Sequence, residues 1–166
     1  MKNIVLIGLM GSGKTMISKR LAQQLHVERF STDEMIEAEE QMPIAKIVED
    51  KGWPYFRRLE QRIVQTLSER KSIVIDCGGG VVLDPSNIMH LKKNGLIFHL
   101  HAPPAILFNR LKNDQTRPLI NGPDPQARLK ELYEERLPLY NQADFVIDAS
   151  DASIAGPIVE ILKKVS

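Results

Sequence analysis

The chain has 166 residues, 43% of them hydrophobic and 26% charged, with a formal net charge of +1. That length suits one domain with a full core, and the charge balance offers no broad field for nucleic acid or an anionic membrane surface. No apolar stretch reaches the roughly 18 residues of a membrane span, and Cys77, the only cysteine, rules out an internal disulfide and fits a reducing, cytoplasmic setting.

The first apolar run, Asn3–Ile7, resembles the start of a signal peptide, but it is too short and breaks into glycines and a lysine where a cleavage region belongs. It reads as a buried strand. Gly8-Leu9-Met10-Gly11-Ser12-Gly13-Lys14-Thr15 follows and matches G-x-x-x-x-G-K-[ST], the P-loop pattern. The spacing has a physical reason. Backbone N–H groups at Gly11, Ser12 and Gly13 can wrap a phosphate, and the next helix offers its positive end. Lys14 can neutralise charge between two phosphates, and the Thr15 hydroxyl can ligate Mg²⁺. These residues therefore point to ATP and Mg²⁺.

Ile17, Leu21 and Leu25 repeat every four residues and predict a helix after Lys14. A weaker strand is expected at Arg29–Ser31, and then Asp33 opens a charge-rich helical region, 33–62, with no strand inside it. Asp33 is either an N-cap or first-turn acid of ordinary kind or a ligand-facing carboxylate. Phe56, Leu59, Ile63 and Leu67 give residues 53–70 a helical face, and Arg57 and Arg58 lie on that helix beside Glu60 and Arg62. Taken alone, such charges are a solvated face.

Residues 72–76 form another strand pattern that ends in Asp76, and Cys77 and three glycines, Gly78, Gly79 and Gly80, follow. A buried acid at a strand end needs a cationic partner. In P-loop proteins such an acid holds Mg²⁺; the alternative is a cap on the glycine turn. His99 and His101 alternate on a strand at 96–100 and its end, a pair more easily read as structural than as a metal site. Prolines and polar residues mark 112–125 as a loop longer than a plain connection requires, often a lid. Arg136, within EERLPLY, reads as helix surface or as a binding residue, and a strand at 145–147 and a helix carrying Ile154, Ile158 and Leu162 close the chain. Strands alternating with helices, with nearly continuous apolar strands, define an α/β protein with a parallel sheet covered on both faces.

The P-loop, TDEMIE, FRRLE, GGG, RPL and RLPLY occur in an order and spacing that resembles the shikimate kinases, from residue 3 to about 148. The P-loop is shared by many NTPases, whereas the later elements together are far more specific. The resemblance implies a three-layer P-loop NTPase fold of the nucleoside monophosphate kinase group, with a five-stranded parallel sheet in the order 2-3-1-4-5. Within a single domain, 1–166, it implies a substrate-binding subdomain at 33–62 and a lid at 112–124.

The implied activity is ATP-dependent phosphorylation of the 3-hydroxyl of shikimate by a cytoplasmic monomer that needs neither nucleic acid nor membrane. Arg57 and Arg136 then clamp the substrate carboxylate, Asp33 receives the hydroxyls and Gly79 offers its N–H. Lys14 and the lid residue Arg117 neutralise the transferred phosphoryl group, and Arg110 lies against the adenine ring. Glu60 orients Arg57 from one helical turn away. Other small-molecule kinases of the same fold, acting on gluconate or a nucleoside monophosphate, are the alternative, together with a nucleotide-binding module that does not turn over.

One departure from the family pattern stands out. Most shikimate kinases carry Asp-x-Asp where this chain has Ser31-Thr32-Asp33, so a metal-side carboxylate is missing at Ser31. An exchange is expected in which Asp76, at the end of another strand near the P-loop, supplies it.

Overall fold

Strand β1, Asn3–Ile7, is buried at every position, as a strand with helices on both faces must be. Its side chains divide between two cores. Val5 and Ile7 join one apolar cluster and Ile4 and Leu6 the other, following the two-residue period of a strand.

The structure, a computed structural model, describes residues 1–112 and 120–166. Strand β1 leads into helix α1, Lys14–Leu25, and β2, Arg29–Ser31, then into α2 (Thr32–Glu40), α3 (Ile44–Lys51) and α4 (Trp53–Ser68). After β3, Val74–Asp76, come a short 3₁₀ turn (Val81–Leu83) and α5 (Pro85–Asn94). The remainder is β4 (Gly95–His101), α6 (Pro104–Leu111), α7 (Pro125–Tyr140), β5 (Phe145–Asp148) and α8 (Ala155–Val165). The sheet order is β2-β3-β1-β4-β5 and every pairing is parallel, as expected. No described helix is long and apolar enough to cross a membrane.

Helices α1 and α8 cover one face, with Ile17, Leu21, Ile158 and Ile161 in its core. Residues of α2 to α7 fill the other. The chain thus leaves β1 onto one face and β3 onto the opposite face, which opens a crevice at the carboxyl ends of these two neighbouring strands.

The strand expected at 72–76 begins two residues later. Ser72 has φ 58°, and the buried Asn3 side chain closes the turn, accepting from the Ile73 N–H at 3.2 Å and donating to the Arg70 carbonyl at 2.8 Å. Most of the expected lid falls on 113–119, and with it Arg117 lies outside the described residues. Asn3→Ala leaves two backbone groups unpaired at this junction and is expected to lower the unfolding free energy by about 1–3 kcal/mol, measured by urea denaturation.

Candidate active site

Gly13 is the N-cap of helix α1, its φ of 89° suits glycine, and no side chain caps the helix. Its first N–H groups are left to bind an anion. Gly8 has φ 153°, and a Cβ there would lie 2.7 Å from the Leu100 carbonyl oxygen. Lys14 Nζ folds back along the loop and donates to the carbonyls of Gly8 at 2.8 Å and Leu9 at 3.2 Å. Gly11, Gly13, Lys14 and Thr15 border a cavity of about 760 Å³. Ser12 is buried beneath the loop, with its Oγ 3.4 Å from Lys14 Nζ.

The same cavity is bordered by Asp33, Arg57, Gly79, Arg136, Asp76 and Arg110. Residues from five separate helices, two loops and the end of β3 are therefore brought to one crevice. Ser31, not Asp33, is the N-cap of α2: its Oγ accepts from the Glu34 N–H at 3.2 Å. Asp33 sits in the first turn of that helix, where the positive end of the helix favours its charge.

The three glycines have ordinary backbone angles; none is among the positive-φ residues. Their reason is proximity. A Cβ on Gly78 would lie 2.5 Å from Asp33 Oδ1, and a Cβ on Gly80 would collide with the Arg57 guanidinium. At Gly79 the neighbours are Arg136 Nη1 and the Gly8 carbonyl oxygen, both 3.5 Å from a Cβ position. Gly78 and Gly80 thus each make room for one charged side chain of the cavity wall, whereas a Cβ at Gly79 would meet only ordinary contacts.

Arg57 forms an ion pair with Glu60 at 3.0 Å, as the i,i+3 spacing suggests, and its guanidinium lies 5.0 Å from the Trp53 ring. Glu60 is 1% exposed, and its Oε2 has no hydrogen-bond partner among the described residues. Burial pushes its pKa up to about 7, against the pull of Arg57. Arg136 is 3% exposed and makes no ion pair with a described carboxylate. A buried guanidinium without a counter-ion is costly, and a bound anion removes that cost.

Asp76 meets its cation in Arg29. The Arg29 Nη2 lies 2.6 Å from Asp76 Oδ2, and Nη1 lies 2.8 Å from Glu34. Arg29 Nε also donates to Ser18 Oγ at 2.8 Å. Sequence reasoning missed Arg29, because its partner lies 47 residues away. The residue takes no part in capping the glycine turn. Asp76 and Ser31 are register partners on adjacent strands, so the two positions expected to exchange a carboxylate stand side by side.

Arg110 donates to the carbonyls of Gly11, Ala149, Ser150 and Asp151. Its donors tie the P-loop to the segment after β5. The His99 and His101 rings lie 5.6 Å apart. They belong to no group of three or more metal-ligating side chains among the described residues, and His101 instead meets the Tyr133 hydroxyl at 2.9 Å. Cys77 is buried, and that burial raises its thiol pKa well above the usual value.

A P-loop strand and helix, an acceptor cavity and paired guanidiniums at the carboxyl ends of β1 and β3 define a P-loop phosphotransferase. The shikimate kinase family model matches residues 10–166. A shikimate kinase from Caldanaerobacter subterraneus subsp. tengcongensis is 45% identical over 98% of this chain and 95% of its own. One from Thermodesulfovibrio yellowstonii is 42% identical over 99% and 95%. A solved shikimate kinase from Acinetobacter baumannii, in complex with shikimate, superposes with a TM-score of 0.89 at 31% identity, covering 99% of this chain and 91% of that one. The chain belongs to the shikimate kinase family.

Two buried groups give the fold opposed pH dependences. Burial, helped by nearby His101, lowers the His99 pKa to about 4, so its contribution to stability is lost as pH falls from 6.5 to 4. Glu60 keeps its proton in the fold to about pH 7, so its contribution is lost as pH rises from 4.5 to 7. Between pH 5 and 6.5 the two dependences oppose one another. Glu60→Gln is expected to unmask His99, so that stability rises across that window while the unaltered chain stays nearly flat; denaturant titrations at pH 5.0, 5.75 and 6.5 check this.

Proposed function

We propose that this chain transfers the γ-phosphoryl group of ATP to the 3-hydroxyl of shikimate, as a cytoplasmic monomer. The observation that carries the reading is the pair of guanidiniums at the glycine turn. Arg57 already has a carboxylate on one side, and the buried Arg136 has none among the described residues. Two planar forks suit a carboxylate on a small polyhydroxylated acceptor. The shikimate bound in the Acinetobacter baumannii relative supports the same acceptor.

In this reading Arg57 and Arg136 fix the acid end of the acceptor and the Gly79 N–H meets it at the turn. Asp33 receives its hydroxyls and orients the attacking one toward the P-loop, and little base assistance is needed when the transition state is loose. The N–H groups of Gly11 and Gly13, with Lys14, hold the phosphates in line, and the Ser12 N–H, which donates to the Leu9 carbonyl at 3.2 Å, turns to the phosphate only as the loop adjusts. Arg110 offers its face to the adenine. Arg117, in a lid at 112–124, adds charge to the transferred group as the lid excludes water. The helices of 33–62 form the acceptor subdomain.

The donor set suits Mg²⁺. Thr15 and Asp76 both border the cavity, and no cluster of three metal-ligating side chains exists among the described residues. One hydroxyl and one carboxylate match a cation that keeps most of its waters and binds through the substrate phosphates. When bound, it neutralises phosphate charge. Asp76, held by Arg29, would hold the ion together with Thr15, in place of the carboxylate absent at Ser31.

ADP release from ATP and Mg²⁺ is expected to rise with shikimate and not with gluconate or nucleoside monophosphates; stimulation by either of the latter would overturn the acceptor assignment. Arg136→Lys keeps the charge and loses the fork, so the KM for shikimate is expected to rise by roughly tenfold or more. Asp76→Ala is expected to raise the Mg²⁺ concentration for half-maximal rate, and Ser31→Asp in that background to recover part of it. An unchanged Mg²⁺ requirement in Asp76→Ala would end the exchange hypothesis.

A further inference from the structure

Two buried rings beside the cavity have no role in the mechanism above. Tyr140 is 2% exposed and closes α7, one turn after Arg136 on the same face. Its hydroxyl donates to the Gly79 carbonyl at 2.6 Å. Its ring stacks on His99, with centroids 4.8 Å apart and planes 23° apart. His99 is on β4, in register with Ile7, the residue before the P-loop. A single phenol therefore joins the strand beside the P-loop, the glycine turn and the helix that carries Arg136.

We propose that Tyr140 is a positioning residue for the acceptor: its hydroxyl pins the Gly79 carbonyl and so sets the glycine turn against Arg136, with His99 as a flat support behind the ring. The inference rests on the acceptor reading above. The geometry explains why a tyrosine is needed. A peptide unit is planar, so holding the Gly79 oxygen fixes the plane that runs into Gly80, on which the Arg57 guanidinium rests. A Cβ position at Gly79 lies 3.5 Å from Arg136 Nη1 and 3.7 Å from the Tyr140 oxygen. Both arginines of the clamp are thus referred to one hydrogen bond. The support is uncharged at working pH, because burial lowers the His99 pKa to about 4, and a neutral imidazole adds no repulsion toward Lys14. A buried tyrosine hydroxyl also needs partners: it donates to the Gly79 carbonyl and also interacts with the Arg136 guanidinium.

Tyr140→Phe removes the hydroxyl and keeps the ring. Shikimate affinity can be read without turnover from the fluorescence of Trp53, the only tryptophan, which borders the cavity near Arg57. The expected result is a Kd and a KM for shikimate raised about five- to tenfold, with the KM for ATP within about twofold and kcat changed less than the shikimate KM. His99→Leu, which replaces the flat support, is expected to raise the shikimate KM in the same selective way by about two- to threefold. Unchanged shikimate Kd and KM in Tyr140→Phe would overturn the proposal, as would equal damage to the ATP and shikimate parameters, which marks a general structural role. Absence of shikimate binding by the unaltered chain, with ATP still bound, would instead overturn the acceptor reading on which the proposal stands.

Discussion

The closeness of the backbone at residues 78–80 to three charged side chains governs the geometry of the site. Asp33 arrives from α2, Arg57 from α4 and Arg136 from α7, and each ends against a different glycine. A side chain at Gly78 or Gly80 would push a carboxylate or a guanidinium out of place, which explains their lack of side chains despite ordinary dihedral angles. The sheet makes the arrangement possible. Because β3 lies beside β1, the turn after it faces the P-loop directly, and the donor and acceptor ends of the cavity share a wall.

Charge in this wall is balanced by pairs of unequal completeness. Arg29 holds Asp76 and Glu34 together, and Arg57 holds Glu60 by one oxygen only. Arg136 has no such pairing within the described chain. A site with a buried cation that has no ion pair among the described residues and a carboxylate that ionises near neutrality suits a small acid, since the incoming anion adds to an incomplete balance.

Local pattern made much of this legible. The P-loop was readable because its eight positions are contiguous, and Arg57–Glu60 because a helix fixes which neighbours meet. The four stronger strands were readable from apolar runs, with boundaries shifted by a turn such as the one at Ser72. Helices α5 and α6 left a weaker trace, with few fully buried apolar positions each between prolines and strands. The Arg29–Asp76 pair and the Tyr140–Gly79 bond were not readable at all, as they join segments 47 and 61 residues apart. The glycine run was half readable: that something approaches it follows from its composition, but what approaches it depends on three helices folding over it.

The register of Ser31 with Asp76 has a wider consequence. In a parallel sheet, positions on one rung lie a single strand spacing apart, about 4.8 Å, and a carboxylate side chain reaches over much of that distance. A charge at the rim can therefore change strands and still occupy nearly the same point in space. Motifs written along the chain record such a move as one loss and one unrelated gain. Read across the rungs, it is a conservative substitution, and the unit preserved is the place of the charge rather than the residue that bears it.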